Sequence, residues 1–234
     1  MSANQDLFDL KFYKWEKEFK DKPYLRQPIG ETWEEYTWGE VGDMARRLAS
    51  GLKSLNLREG AHIGIYSKNC REWIISDLAI VMAGYISVPF FPSLNGKELS
   101  YIMDYGDVDA LFIGKIETWD DIKDDLPKEM PIISFPKYEG CSNVTKGYKW
   151  HEFINSNEPI ENPHQPKLSD LWTIIFTSGT TGNPKGVMLT YQAIDGIKVV
   201  LDDPNNPLGI KHSGNNDFIS YLPLNHIFER GVIE

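Results

Sequence analysis

Residues 172–189 read WTIIFTSGTTGNPKGVML, in which two apolar runs flank a segment rich in glycine and hydroxyl side chains. The apolar runs, 172–176 and 187–189, are typical of buried strands, so the segment between them is predicted to be a loop. Glycines let backbone N–H groups approach an anion closely, while hydroxyls and a lysine supply further donors and a positive charge. We therefore predict a phosphate-binding loop with the candidate residues Thr177, Ser178, Gly179, Thr180, Thr181, Gly182 and Lys185.

Two common phosphate-binding patterns do not describe this loop. A P-loop has a serine or threonine directly after its Gly-Lys pair, whereas here Pro184 precedes Lys185 and Gly186 follows it. The dinucleotide fingerprint G-x-G-x-x-G does not occur in the chain. Along its whole length, the segment from Thr177 to Gly186 instead resembles the phosphate-binding signature of the AMP-forming acyl-adenylating enzymes, a family that includes acyl-CoA synthetases and luciferases.

A second segment, residues 221–230, reads YLPLNHIFER and resembles another motif of the same family. Its sequence is most similar to that of the long-chain fatty acyl-CoA synthetase branch. In that family an aromatic residue or a histidine of this motif lies beside the acyl-binding pocket. The resemblance therefore implies that His226 acts at the acyl end of the reaction.

The residues of the second segment also have simpler explanations when they are considered alone. Residues 218–222 are predicted to form a strand, which Pro223 ends because it lacks a ladder donor. His226 and Arg230 are one helical turn apart and are expected to share a helix face. A single histidine is more often a hydrogen-bonded structural residue than a catalyst. Glu229 and Arg230 are interpreted as a local ion pair or a helix-end pair, without a chemical role.

The resemblance implies a reaction in two steps. A fatty acid carboxylate would attack the α-phosphate of ATP to give an acyl-adenylate and pyrophosphate, and the thiol of coenzyme A would then displace AMP. The loop around Lys185 would bind the β- and γ-phosphates, with Mg²⁺ bridging phosphate oxygens. The implied ligands are fatty acid, ATP, Mg²⁺ and coenzyme A, and the candidate catalytic residues are Lys185 and His226.

Several family segments that follow the second motif are not found in this chain. They include the adenine-binding segment, a Thr-Glu pair that helps to hold magnesium, a ribose-binding aspartate, the hinge and a C-terminal domain with a catalytic lysine. We therefore expect an N-terminal portion of an acyl-CoA synthetase that contains no metal ligands of its own and cannot complete the reaction alone. Two other interpretations stay open: an adenylating enzyme for an aryl, amino or short-chain acid, and a non-catalytic phosphate-binding module.

The composition excludes several other classes of protein. The chain has 234 residues and 41% hydrophobic residues, enough for a sizeable core. A formal net charge of −10 argues against non-specific nucleic-acid binding. Cys70 and Cys141 form no C-x-x-C pair, and neither a signal peptide nor a transmembrane segment is predicted, so we expect a cytoplasmic protein. Peripheral contact with the inner face of a membrane and dimerisation through unpaired strands stay open.

The pattern of elements predicts an α/β fold. Apolar strands alternate with helices, and the strands are apolar on both faces, which favours a mainly parallel sheet flanked by helices on both faces. This is the fold expected for the N-terminal part of an adenylate-forming enzyme. We expect an N-terminal α/β subdomain at 1–165 and, at 166–234, the start of a second one that carries the phosphate-binding loop.

Individual elements follow from local patterns. Thr37 and Glu40 have the spacing of a capping box and predict the start of a helix. The other predicted helices are Phe12–Phe19, Arg71–Gly84, Glu98–Tyr105, Trp119–Leu126 and Tyr191–Leu201. The predicted strands outside the two motifs are Thr32–Tyr36, His62–Tyr66, Ile86–Phe91, Ala110–Ile113 and Ile132–Phe135. Asp202–Asn216 is predicted to be a mobile loop, and Trp172 and Tyr191 depart from family positions that commonly hold a small residue and a histidine.

Overall fold

The computed structural model of this chain describes residues 8–177, 184–193 and 217–233. Strands in this part of the chain are β1 Pro23–Ile29, β2 Thr32–Thr37, β3 His62–Ser67, β4 Ile86–Phe90, β5 Val108–Gly114, β6 Ile132–Ser134, β7 Tyr148–Lys149, β8 Leu171–Thr177 and β9 Lys185–Thr190. Helices there are α1 Phe8–Phe19, α2 Trp38–Ser54, α3 Arg71–Met82, α4 Gly96–Tyr105, α5 Trp119–Ile122, α6 Trp150–Asn155 and α7 Ile227–Ile233. The predicted loop residues Ser178–Gly182, most of the predicted helix Tyr191–Leu201 and the predicted mobile loop lie outside the described residues.

The main sheet has the strand order β7-β6-β5-β3-β4-β8-β9. Neighbouring strands are parallel throughout, apart from β9, which is antiparallel to β8. The prediction of a mainly parallel sheet is therefore confirmed. Because parallel strands end at the same edge, β3, β4, β5 and β8 all deliver the chain to one side of the sheet, which we call the carboxyl edge.

Helices cover both faces of this sheet, as predicted. Along β5, Ala110 and Phe112 join a core with α2, α3 and α6, whereas Leu111 and Ile113 join a core with α4 and α5. Successive side chains of a strand point to opposite faces, so a strand between two helical layers needs apolar residues at every position. This need explains why the strands read as continuous apolar runs. The sheet also crosses the expected boundary at 165–166, and the division into two subdomains stays a prediction.

The start of α2 confirms the predicted capping box. The Thr37 hydroxyl accepts a hydrogen bond from the Glu40 N–H at 3.2 Å, and the Glu40 carboxylate accepts one from the Thr37 N–H at 2.7 Å. Two N–H groups that lack helical partners are thus satisfied by side chains. The apolar stripe of this helix is buried as expected, with Leu48 and Leu52 inaccessible to solvent.

Four local predictions need correction. The run 187–189 does form part of β9, but it is not buried as predicted, since Val187 and Met188 are 45% and 66% exposed. The helix predicted at Trp119–Leu126 ends at Ile122 and continues as turns, although Leu126 is still buried. The strand β1 was not predicted, since it contains Pro23 and Pro28. It pairs only with β2, in a two-stranded sheet where a missing N–H donor is tolerated.

The predicted strand at 218–222 is also wrong. The residues from 217 to 222 belong to no strand or helix, and Ile219 and Tyr221 are 86% and 77% exposed. The Leu222 carbonyl here accepts a hydrogen bond from the Asn69 side chain, which also accepts one from the Leu224 N–H. Within the described residues, this apolar run with high strand propensity therefore pairs with no strand.

Removal of the Thr37 cap tests the origin of α2. We expect Thr37→Ala to lower the free energy of unfolding by about 1 kcal/mol, because the Glu40 N–H loses its acceptor. Thr37→Ser keeps the hydroxyl and should unfold at nearly the wild-type urea concentration. Equal midpoints for the alanine variant and the wild type in urea unfolding would show that this cap contributes nothing.

Candidate functional site

The two described ends of the predicted phosphate-binding loop lie side by side. Thr177 ends β8, Lys185 begins β9, and the two residues are direct partners in the antiparallel register. Directly opposed residues of such a pair have Cα atoms about 5 Å apart. Both side chains are exposed to solvent. The loop therefore begins with a hydroxyl and closes with an ammonium group at the carboxyl edge, and its other candidate residues, 178–182, lie outside the described residues.

The carboxyl edge is also where this topology favours a ligand. The chain runs from β3 to β4 on one side of β3, and then back across to β5 on its other side. In open α/β sheets, ligands bind outside the carboxyl ends of the strands at such a reversal of strand order. Lys115 and Asn69, which follow β5 and β3, meet there, with the Lys115 ammonium donating to the Asn69 carbonyl at 2.7 Å.

His226 lies directly before α7 and is exposed. Its ring nitrogen Nδ1 accepts a hydrogen bond from the Phe228 N–H at 3.3 Å. A neutral imidazole has one donor and one acceptor nitrogen, so this contact assigns the proton to Nε2. This contact occupies Nδ1 and leaves Nε2 as the ring nitrogen available to donate.

Arg230 lies one turn further along α7 and is completely buried. Its Nε donates to Asp77 Oδ2 at 3.0 Å, and its Nη2 donates to Asp77 Oδ1 at 2.6 Å, in a bidentate pair with α3. Its Nη1 donates to Thr173 Oγ1 on β8 at 2.7 Å. The guanidinium carbon lies 3.8 Å from the centre of the Trp172 ring. One side chain therefore joins α7 to α3 and to the strand that leads into the predicted phosphate-binding loop.

These contacts correct the prediction made for Arg230. Its carboxylate partner is Asp77, 153 residues earlier in the chain, and the interpretation as a local pair with Glu229 is wrong. His226 and Arg230 are linked by a backbone hydrogen bond of 3.3 Å, yet one side chain is exposed and the other buried. A sequence signal was present, since Asp77 is an acidic residue within the apolar stretch of α3 from Trp73 to Met82.

A buried polar cluster lies at the start of α3, beside Asn69. Burial and the neighbouring Glu72 carboxylate raise the pKa of the Cys70 thiol. The Tyr138 hydroxyl donates to Glu72, and burial raises the pKa of Tyr138 as well. A protonated, buried thiol is a poor nucleophile and a poor metal ligand. We therefore assign this cluster a structural role beneath the carboxyl edge.

Comparisons with known proteins bear on the identity of this site. The profile of the AMP-binding enzyme family matches residues 12–234. The chain belongs to this family. It is 33% identical over 232 residues to long chain acyl-CoA synthetase 6, peroxisomal, from Arabidopsis thaliana, covering 91% of this chain and 32% of the relative. It is 32% identical over 198 residues to fatty acyl-CoA synthetase A from Dictyostelium discoideum, covering 81% of this chain and 29% of that protein.

The chain thus spans about a third of the length of these curated relatives. Solved structures show the same fold. The structure of a long-chain-fatty-acid-CoA ligase from Archaeoglobus fulgidus superposes with a TM-score of 0.73 at 19% sequence identity. The match covers 97% of this chain and 44% of the ligase chain. The structure of an anthranilate CoA ligase in complex with anthranoyl-AMP superposes with a TM-score of 0.70 at 19% sequence identity. The match covers 86% of this chain and 39% of the ligase chain.

The two residues that differ from the common residues of the AMP-binding family at their positions lie next to each other in the structure. Trp172 and Tyr191 are both buried, and their ring centres lie 6.4 Å apart. Trp172 is also the ring against which the Arg230 guanidinium packs. The two large aromatic residues therefore form one contact that shields the buried charge from water.

Two searches of the described residues bear on metal and membrane binding. Across 8–177, 184–193 and 217–233, no three or more His, Cys, Asp or Glu side chains are grouped so that they could hold a metal ion. In the same ranges no helix combines the length and apolar character needed to cross a bilayer.

Replacing Asp77 tests the importance of the buried ion pair. We expect Asp77→Asn to lower the free energy of unfolding by about 3–5 kcal/mol, because it removes the carboxylate that forms a bidentate ion pair with the buried Arg230 charge. Urea unfolding followed by tryptophan fluorescence suits this measurement, since Trp73 and Trp172 flank the guanidinium.

The exposed pair Arg26–Glu35, with an N···O distance of 2.8 Å, offers a matched control. Its side chains are 48% and 46% exposed, so Glu35→Gln should cost less than about 1 kcal/mol. Equal losses in the two variants would contradict the role assigned to burial of the Asp77–Arg230 pair.

Proposed function

We propose that the whole protein to which this chain belongs is an AMP-forming ligase that uses ATP to join a fatty acid to coenzyme A. In this proposal the chain supplies the phosphate-binding loop and the segment that carries His226. The observation that supports it best is the pairing of Thr177 with Lys185 at the carboxyl edge, which closes a glycine- and hydroxyl-rich loop with a positive charge. Family membership and the names of the relatives agree with this chemistry.

The first step brings two anions together. The fatty acid carboxylate attacks the α-phosphate of ATP, a bond to the carboxylate oxygen forms, and pyrophosphate leaves with the electrons of the broken P–O bond. The thiol of coenzyme A then attacks the acyl carbon and AMP leaves. Positioning and neutralisation of charge matter more in such reactions than covalent catalysis by the protein.

Lys185 has the properties that the first step requires. It is a flexible cation at the end of the loop, and it would bind the β- and γ-phosphates and stabilise the charge that develops on pyrophosphate. The net charge of the chain is −10, so attraction of ATP has to come from local groups. At an effective dielectric constant of about 20, one charge pair 4 Å apart gains roughly 4 kcal/mol, while distant exposed carboxylates are screened by salt.

His226 would act at the acyl end, where the Nε2–H of its neutral ring can donate to a carboxylate or carbonyl oxygen. Mg²⁺ commonly takes one or two protein carboxylates and completes its shell with phosphate oxygens and water. We propose that Mg²⁺ would bind together with ATP and supply charge neutralisation there. A cytoplasmic location, peripheral contact with a membrane and dimerisation stay predictions.

The role of Lys185 can be measured on this chain by calorimetry with pyrophosphate. We expect Lys185→Ala to weaken binding at least about tenfold, or by about 1.4 kcal/mol, because a charge–charge contact is lost. Lys185→Arg keeps the charge and should bind within a few-fold of the wild type.

Lys128 is an exposed lysine before β6, at the opposite edge of the sheet, and Lys128→Ala should leave the affinity unchanged. Unaltered pyrophosphate affinity in Lys185→Ala would refute the role of this residue. An absence of binding in all proteins, wild type included, would refute the phosphate-binding loop itself.

The choice of acid is tested with the whole protein and a substrate panel. We expect exchange of labelled pyrophosphate into ATP to depend on long-chain fatty acids, and to be at least about tenfold slower with aryl, amino and short-chain acids at equal concentration. Similar exchange with aromatic and long-chain acids would favour the broader adenylating function. No exchange with any acid would favour a non-catalytic phosphate-binding module.

A further inference from the structure

Asn69 binds the backbone of the second motif, although it lies 153 residues before Leu222 in the sequence. It follows β3, and its side-chain Nδ2 donates to the Leu222 carbonyl at 2.7 Å and to the Ser220 hydroxyl at 3.0 Å. Its Oδ1 accepts from the Leu224 N–H at 3.0 Å. One amide therefore satisfies an acceptor and a donor of the same short backbone segment, much as a neighbouring strand would.

The position of Asn69 is itself fixed from two sides. Its backbone carbonyl accepts the Lys115 ammonium at 2.7 Å, and the next residue, Cys70, is the buried N-cap position of α3. An amide side chain held in this way presents its donors and its acceptor in one orientation. Asn69 therefore acts as a rigid attachment point at the carboxyl edge, next to the reversal of strand order.

The attached segment leads directly into His226. Leu224 is buried in the core that also contains the apolar residues of α3, and the His226 N–H donates to the Pro223 carbonyl at 2.9 Å, which closes a turn over 223–226. With Leu224 held by Asn69 and the turn closed, few backbone torsions remain free between Asn69 and the imidazole. The Asn69 side chain thus fixes the approach to the ring from the end of β3, while α7 fixes the segment that follows it.

We propose that Asn69 is a positioning residue, which holds the segment 220–224 against the carboxyl edge and thereby sets the place of His226. This inference rests on the proposed role of His226 at the acyl end of the reaction. Asn69 itself need not contact the substrate. Its replacement is expected to impair use of the acid more than use of ATP.

Hydrogen exchange on the 234-residue chain tests the attachment without any need for activity. We expect Asn69→Ala to speed exchange of the Leu224 amide at least about tenfold, because the acceptor of its hydrogen bond is removed. The matched control is Asn95→Ala, since Asn95 likewise accepts from a backbone N–H, that of Glu98, at 3.0 Å. The control should speed exchange at Glu98 and leave residues 218–230 unchanged.

A second variant covers the outcome in which Asn69→Ala does not fold. Asn69→Asp has nearly the same shape and still accepts from the Leu224 N–H, but it has no donor for the Leu222 carbonyl and repels it. It should fold and show faster exchange across 218–230 than Asn95→Asp does. Wild-type protection of 218–230 in a folded Asn69 variant would overturn the proposal, and so would an equal increase in the Asn95 controls.

The whole protein provides the functional measurement. Asn69→Asp should raise the KM for fatty acid, or lower kcat with that acid, at least about tenfold, while the KM for ATP changes less than about twofold. Equal changes in both KM values would overturn the positioning role. If the wild-type protein shows no acid-dependent exchange of pyrophosphate, the proposed function fails, whereas the hydrogen-exchange result still decides whether Asn69 attaches the segment.

Discussion

The guanidinium of Arg230 has no contact with solvent, and this constraint governs how the last described helix is placed. Removing a charge from water costs several kcal/mol, which must be offset within the protein. Both oxygens of Asp77 and the hydroxyl of Thr173 offset this cost by hydrogen bonding, and two tryptophan rings pack against the guanidinium. These partners come from α3 and β8, so α7 can occupy its position only when both elements are in place.

The same contacts connect the two sequence motifs. Thr173 lies on β8, which leads into the predicted phosphate-binding loop, and its hydroxyl also donates to the Ser87 carbonyl of β4 at 2.8 Å. A chain of hydrogen bonds therefore runs from α3 through Arg230 to two neighbouring strands. The short connection between β8 and β9 has a parallel effect, because it is too short for a crossover and forces the antiparallel return that places Lys185 opposite Thr177.

The amino-acid pattern predicted most of the helices and strands, because these elements depend on residues that are close together in the sequence. The cap at Thr37 and the continuous apolar runs of β3, β4 and β5 are decided by nearby residues and by burial on both faces. The strand predicted at 218–222 is wrong, and the propensity of an apolar run contains no information about Asn69, more than 150 residues away, which binds the Ser220 hydroxyl and the Leu222 carbonyl. For the same reason Asp77 was visible as an isolated charge in an apolar helix, but its partner was not.

Two attachments of different character hold the second motif, one on each side of His226. Before the histidine, Asn69 binds the backbone by hydrogen bonds, which depend on direction and distance. After it, Arg230 binds through a buried ion pair, whose loss is costly even when the geometry shifts slightly. The ion pair alone would secure α7 but would leave the turn before it able to move, while the amide alone would leave the helix unanchored. The two together determine where the imidazole lies relative to the carboxyl edge, because neither contact by itself fixes both the turn before His226 and the helix after it.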